Sequence, residues 1–167
     1  PRRRHRRIEI LMKIELWAIG KTNEQYLEAG IAIFEKRLKN YLPFSFQILP
    51  DIKQKTADGT QLKKKEGEMV LAKLSSDDYL VLLDEKGHEF SSMELAQWLE
   101  RRLSTSHRKM VFLIGGAFGF SPEIYSRAQE KLALSRLTFS HQMVRVFFLE
   151  QLYRGMTILK NEPYHNE

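Results

Sequence analysis

The 167-residue sequence predicts an α/β fold, a mainly parallel sheet with helices on both faces, and three observations carry that prediction. Two runs, Tyr79-Leu-Val-Leu-Leu83 and Met110-Val-Phe-Leu-Ile114, are apolar without alternation, the mark of strands covered on both faces. Stretches with helical spacing of apolar residues alternate with the strand-like runs, the order expected of a parallel sheet between helix layers. Glycines close the strand ends at 20 and at 115–116, where chain reversals are needed. The length suits one domain, since domains hold roughly 100 to 200 residues. The sequence holds no internal repeat and no low-complexity tract.

The elements follow in order. Lys13 to Ile19 alternates, with Ile14, Leu16 and Ala18 on one side, and reads as a strand ended by Gly20. Thr22, three residues before Gln25, reads as a capping-box start for a helix whose stripe is Leu27, Ile31, Phe34, Leu38 and Tyr41, ending near Pro43. Phe44, Phe46 and Ile48 alternate as a second strand up to Pro50. Residues 51 to 60 read as a loop leading into a lysine-rich helix, Leu62 to Leu74. There Lys63, Lys64 and Lys65 either touch phosphate or form a solvated face balanced by Glu66 and Glu68. After the strand at 79–83, Gly87 is expected to break the chain, and Ser91 or Ser92 to cap a helix with Leu95, Trp98, Leu99 and Leu103 inward. The strand at 110–114 runs into Gly115-Gly116-Ala-Phe-Gly119-Phe, then Ser121 and Pro122 open a helix expected to reach about Leu132. Leu134 to Phe139 is a short strand or extended loop before the C-terminal helix, which stops at Pro163-Tyr164-His165.

Composition excludes several classes. No apolar run approaches the roughly 20 residues of a membrane helix, so no membrane role is expected. With no cysteine, disulfides and thiolate chemistry are out, which fits a cytoplasmic protein, and a metal site would have to use histidine and carboxylates; none is expected. The net charge of +6 is concentrated in residues 1–11, which carry five arginines against one glutamate and leave 22 basic and 20 acidic residues elsewhere. Residues 1–11 therefore read as a basic extension outside the fold, an upstream artefact ahead of Met12-Lys13-Ile14. Residues 12–167 read as one domain with a nearly neutral body.

In parallel α/β sheets ligands bind at the carboxyl ends of strands, which singles out three reversals: Leu83-Asp84 to Gly87, Gly115 to Gly119, and Leu134 to Phe139. The Gly115-Gly116 pair would let a ligand lie against bare backbone, or is an ordinary tight turn. Neither Gly-x-Gly-x-x-Gly nor the phosphate-binding loop with its lysine is present, so a cofactor held by backbone groups and apolar walls fits better than a triphosphate.

The last helix has Phe148, Leu152, Met156 and Leu159 as a core stripe, with His141 and Arg145, then Glu150 and Arg154, four apart on other faces. His141 is either a base or a helix-start residue that satisfies backbone. Glu150 with Arg154 is either a surface ion pair or a held guanidinium. Tyr164 and His165 have no core to explain them, so ordering them would take a ligand or a neighbouring subunit.

These motifs together, Lys13 to Lys21, Lys65-Glu66-Gly67-Glu68, Leu113-Ile114-Gly115-Gly116, Leu137-Thr138-Phe139, Val144 to Val146, Leu152-Tyr153-Arg154 and Pro163-Tyr164-His165, resemble the RlmH (YbeA-type) family of the SPOUT methyltransferases over Met12 to His165. The chain departs from the family pattern at Ala117-Phe118, Phe120, Ser140 and Asn166. The resemblance implies a C-terminal trefoil knot, a homodimer, and methylation of N3 of a pseudouridine in 23S rRNA of the large ribosomal subunit. It implies S-adenosyl-L-methionine as cofactor, held by Leu83, Gly115 and the segment Leu134, Ser135, Arg136, Leu137, Thr138 and Phe139. On that basis His165 is the expected general base, Tyr164 orients or stacks on the target base, and Arg154, held by Glu150, stabilises the developing oxyanion or binds phosphate. Arg145 and His141 are expected to serve structure or phosphate. The expected substrate is the assembled ribosome rather than naked RNA, met by a composite site from two chains. Two rivals are a noncatalytic ribosome- or RNA-binding factor and a nucleotide hydrolase using the glycine turn; the missing lysine counts against the latter.

Overall fold

The computed structural model describes residues 10, 12–52, 58–105 and 108–166. The expected basic extension therefore lies outside the described residues, apart from Ile10. Five strands form one wholly parallel sheet: β1 (Lys13–Ile19), β2 (Phe44–Leu49), β3 (Tyr79–Glu89), β4 (Lys109–Ile114) and β5 (Glu130–Ala133), in the order β2-β1-β4-β3-β5. The helices are α1 (Gln25–Leu38), α2 (Gly59–Lys73), α3 (Ser92–Leu103), α4 (Pro122–Arg127) and α5 (Met143–Leu159). A single 3-10 turn follows at Pro163–Asn166.

Because the central strands are covered twice, their side chains sort into two cores. Ile14, Leu16, Ala18, Met110, Phe112 and Ile114 meet α1, α3 and α5, whereas Trp17, Ile19, Leu80, Leu82, Val111 and Leu113 meet Val70 of α2 and Ile124 of α4. Each buried leucine or phenylalanine contributes about 1.5 to 3 kcal/mol, so this double burial is what holds the strand ends in a common rim. Close helix packing depends on Gly155, where a Cβ would stand 2.9 Å from Leu99 Cδ1 of α3.

Several local expectations are corrected. Thr22 caps nothing: α1 starts after Glu24, without a side-chain cap, and the Thr22 hydroxyl instead accepts a hydrogen bond from Arg145 at 3.0 Å. Asp58 caps α2 through Gln61 N, so that helix begins at Gly59, before the expected Leu62. Its Glu66 is buried and forms no ion pair with the neighbouring lysines among the described residues. Gly87 does not end β3; residues 84–87 leave the ladder as a bulge between Leu83 and His88, both opposite Leu132, and the strand resumes to Glu89. Glycine is required there because a Cβ would fall 2.6 Å from the Lys131 carbonyl carbon. The helix capped by Ser121 stops at Arg127, since Glu130–Ala133 is drawn into the sheet beside β3, and Leu134 to Phe139 is loop.

The largest correction concerns Arg145, read as a face residue and found fully buried. Its Nε donates to the His141 carbonyl at 3.1 Å, one Nη to Thr22 Oγ1 and the other to the Ile19 carbonyl, each at 3.0 Å. Burial lowers its pKa, against the opposing pull of Asp51, yet a guanidinium ordinarily titrates so high that it stays charged. Gln142 adds a two-way amide clasp to the same reversal, accepting from Asn23 N at 2.9 Å and donating to the Lys21 carbonyl at 3.2 Å. The start of α5 is thereby fixed to the end of β1.

Arg145→Met should lower the unfolding free energy by about 2 to 4 kcal/mol, because three acceptors, two of them in buried bonds, lose their donor. Urea denaturation measures it, and Arg145→Lys should recover little, since one ammonium cannot reach all three acceptors. An Arg145→Met protein as stable as wild type would contradict this account.

Candidate functional site

The three reversals selected from the sequence meet at the carboxyl ends of β3, β4 and β5. They line a cleft of about 430 Å³, within the 300 to 1,000 Å³ usual for small-molecule sites. Of the expected cofactor residues, Leu83, Gly115, Leu134, Ser135, Leu137, Thr138 and Phe139 form its wall. Arg136 does not; its guanidinium turns outward, 3.9 Å from Glu89. His141 is in the wall with Val144, at the mouth where α5 begins.

Each wall has a local cause. The turn after β4 closes with Gly119 N donating to the Gly116 carbonyl at 3.1 Å, and Gly119 takes φ +82, a conformation that favours glycine. At Gly115 a Cβ would come within 3.0 Å of the Phe120 ring, so bare backbone lets that ring pack beneath the cleft floor. The β3 bulge pushes Asp84 and Glu85 into the wall. Asp84 accepts from Tyr125 Oη at 2.5 Å and from Lys86 N at 3.0 Å, while Glu85 accepts from Thr138 Oγ1 at 2.7 Å, tying the third reversal to the first. Burial, reinforced by the Asp84 carboxylate, pushes the Tyr125 phenol up to about 12. Ser140, one of the departures from the family pattern, accepts from Met143 N at 3.0 Å and so ties the turn before α5 to the first residue of that helix.

Sequence reasoning did not single out Tyr125 or Glu85, and it read Glu66 only as a counter-charge to the lysines and as part of the Lys65-Glu66-Gly67-Glu68 motif, not as a buried residue beside the site. A signal existed for the last: Glu66 stands four residues before the buried Val70, in the apolar phase of its helix.

The other predicted residues gather elsewhere. After α5 the chain reverses in a Schellman arrangement, with Glu162 N donating to the Thr157 carbonyl at 2.9 Å, Asn161 N to the Ile158 carbonyl at 3.0 Å, and Asn161 left-handed at φ 56. The tail therefore folds back on α5. Glu150 Oε1 takes bonds from Arg154 at 3.1 Å through Nε and 2.6 Å through Nη2, and from Tyr164 Oη at 3.0 Å. Arg154 Nη1 lies 3.2 Å from His165 Nδ1, and its guanidinium stacks 4.7 Å from the Tyr164 ring centroid. Because guanidinium only donates, His165 Nδ1 is the acceptor and a neutral ring carries its proton on Nε2. Burial, then the bond to Glu150, raises the Tyr164 pKa. The Tyr164 ring also meets Tyr153 edge-on at 4.8 Å. The tail residues thus have an anchor the sequence did not reveal.

The structure joins Glu150, Arg154, Tyr164 and His165 with one another, but none of the four is in the cleft wall. Arg154 lies ten residues beyond Val144 on α5, about 15 Å along the helix axis at 1.5 Å per residue. Arg145 belongs to neither group and has the structural role described above. Among the described residues, no cluster of three or more histidines and carboxylates stands close enough to hold a metal ion, and no helix is long and apolar enough to cross a membrane.

Residues 12–165 match a family model described as "Predicted SPOUT methyltransferase". The chain is similar to the protein named Ribosomal RNA large subunit methyltransferase H of Christiangramia forsetii, with 51% identity over 156 residues, covering 93% of this chain and 99% of that protein. Proteins of the same name from Parabacteroides distasonis and Flavobacterium johnsoniae are 51% and 52% identical over 157 residues, each covering 93% of this chain and all of the relative.

The Tyr125 phenol gives a pH test. Its folded pKa, about 12, lies above the ordinary value of 10, so its stabilising contribution is complete below pH 10 and is lost as pH rises toward 12. In an absorbance titration at alkaline pH, Asp84→Asn should move one tyrosine to lower pH, a change absent when Tyr125→Phe is also present. An unchanged titration would remove the Asp84 bond from the account.

Proposed function

This chain belongs to the SPOUT methyltransferase family, and on that premise we propose that it methylates N3 of a pseudouridine in 23S rRNA of the large ribosomal subunit, with S-adenosylmethionine as donor. Three relatives that carry the name of a ribosomal RNA large subunit methyltransferase, similar over nearly their whole length, support the substrate class. The observation that carries the reading is the cleft itself, which joins all three reversals in one wall. A donor of this kind fits the residues present. Backbone at Gly115 and Gly116 is bare; Leu83, Ile114, Leu132, Leu134, Leu137 and Val144 offer apolar surface to an adenosine; Ser135 and Thr138 offer hydroxyls. Family membership also supports the trefoil knot and a cytoplasmic, ribosome-directed role as parts of the same proposal.

Bound there, the donor would supply a methyl group already activated on a sulfonium. The chain's own residues then have two tasks, holding the acceptor base in line and receiving its N3 proton. In the proposed mechanism Tyr164 packs against the base, Arg154 turns to the oxyanion that develops as N3 deprotonates, and His165 takes the proton on Nδ1. The last two moves are linked, because the Nδ1 lone pair is engaged by Arg154 until that guanidinium leaves it for the substrate. Glu150 orients Arg154 by accepting from its Nε and Nη2 on the single oxygen Oε1.

The tail cluster stands far along α5 from its own cleft, so the proposed active site is composite, the cleft of one protomer completed by the tail of another in a homodimer. Support comes from the apolar surface left on α1, on α5 and on the loop before it. Tyr26 and Ile33 are exposed, Met143 and Phe147 are each 40% exposed, and Leu137 is 73% exposed. A pair of copies would cover these.

His165→Ala should reduce methyl transfer from tritiated donor to ribosomes by about 100-fold or more, the usual contribution of a general base, while calorimetric donor affinity stays unchanged. Wild-type turnover in that variant would remove the proposed base. Assembled ribosomes should be methylated faster than isolated rRNA; equal rates would remove the assembled substrate. A wild-type protein that binds ribosomes but takes up no donor would favour the rival reading of a noncatalytic ribosome-binding factor.

A further inference from the structure

On α2, behind the glycine turn, Glu66 is only 8% exposed, yet it forms no hydrogen bond and no ion pair among the described residues. Its carboxylate oxygens stand 2.7 and 2.8 Å from the place a Cβ would occupy on Gly116, a residue of the cleft wall. The small recess it lines shares Gly115, Gly119 and Phe120 with the cleft. The acid therefore packs directly against the bare backbone of Gly116, whose residue forms part of the cleft wall.

The Glu66 side chain is held between α2 and the Gly116 backbone, and its carboxylate meets neither a hydrogen-bond donor nor a cation among the described residues. Burial, with the neighbouring charge of Asp51, raises its pKa. Asp51, just beyond the end of β2, acts on it electrostatically, and Lys63, one turn back on α2, is in the wall of the same recess. The two other acids of the cleft are engaged, Asp84 by Tyr125 and Lys86 N, and Glu85 by Thr138. Glu66, in the recess that adjoins the wall, has no such partner among the described residues and can meet a cation.

We propose that Glu66 binds the α-ammonium group of the methionine half of the methyl donor, reached across the bare backbone of Gly116. The inference rests on the donor reading above and deepens it. Of the two cationic centres of such a donor, the ammonium is the chemically suitable partner. It keeps its charge throughout the reaction, whereas the sulfonium loses its charge as the methyl leaves. A carboxylate paired with the sulfonium would stabilise the ground state more than the transition state and slow the transfer. One paired with the ammonium stabilises both equally and serves binding.

The test is calorimetry of the full chain with three ligands: S-adenosylmethionine, S-adenosylhomocysteine, which lacks the sulfonium charge, and methylthioadenosine, which lacks the ammonium. Glu66→Gln should weaken the first two alike, by about ten- to a hundred-fold, the loss of one charge-assisted hydrogen bond, and leave methylthioadenosine within about two-fold of wild type. Unchanged affinity for all three ligands overturns the proposal. So does a loss confined to S-adenosylmethionine, which would place the acid at the sulfonium, and so does an equal loss for all three, which would make Glu66 a support of the glycine turn. Wild-type protein that binds none of them overturns the donor reading itself, and this inference falls with it. The wild type gives a second measurement should the variant not fold. In two buffers of different ionisation heat at mildly acidic pH, S-adenosylhomocysteine should release a proton from the Glu66 carboxyl that methylthioadenosine does not release, because only the cation favours the ionised acid. Equal proton release for both ligands would overturn the proposal.

Discussion

The buried guanidinium of Arg145 is the constraint on which the rest of this molecule depends. A charge removed from water is costly unless every neighbour answers it, and here a carbonyl at the end of β1, the Thr22 hydroxyl and the His141 carbonyl in the turn before α5 do so. These partners belong to segments more than a hundred residues apart in sequence. By joining them, the guanidinium fixes both the position and the rotation of α5 against the sheet. The loop at 134–141 is then held over the strand ends, where it becomes a wall of the cleft, and the far end of the same helix is carried away from it. One interaction thereby sets the cleft and the tail cluster at opposite ends of a rigid rod.

That separation gives the chain an unusual economy. The cleft has glycine backbone, apolar walls, engaged acids and the His141 imidazole, but no arginine or tyrosine-histidine pair like that of the tail in its wall. The tail has histidine, arginine and tyrosine organised around Glu150, but no cavity. Each half has what the other needs, and α1 and α5 leave aromatic and aliphatic side chains exposed. The proposed composite site follows from this division. A nearly neutral body is also less puzzling for a protein proposed to act on RNA if two copies combine their surfaces over one substrate.

Much of the fold was legible because burial leaves a periodic trace. The double covering of β3 and β4 could be read from Tyr79 to Leu83 and Met110 to Ile114, and Ser91 and Ser121 cap helices as their residue types predict. The three cleft reversals were legible for the same reason, since strand ends and glycines mark them. What escaped was set by tertiary partners. Thr22 looks like a cap until a distant arginine claims its hydroxyl, and Gly87 looks like a break until the backbone of β5 is seen passing within contact distance. Residues 130–133 look like the end of a helix, but pairing with β3 outweighs local preference. Tyr164 and His165 look frayed because the Schellman turn that returns them to Glu150 depends on a left-handed asparagine.

The central claim, that cleft and tail act together across two protomers, is tested most directly by a purified mixed dimer. One protomer would carry Gly115→Val, which places a side chain against Phe120 and fills the cleft floor, and its partner would carry His165→Ala. Either variant alone should form inactive homodimers, while the mixed dimer retains one intact composite site and should methylate ribosomes at about half the wild-type rate. A mixed dimer as inactive as its parents would contradict the account, because cleft and tail would then have to come from the same chain.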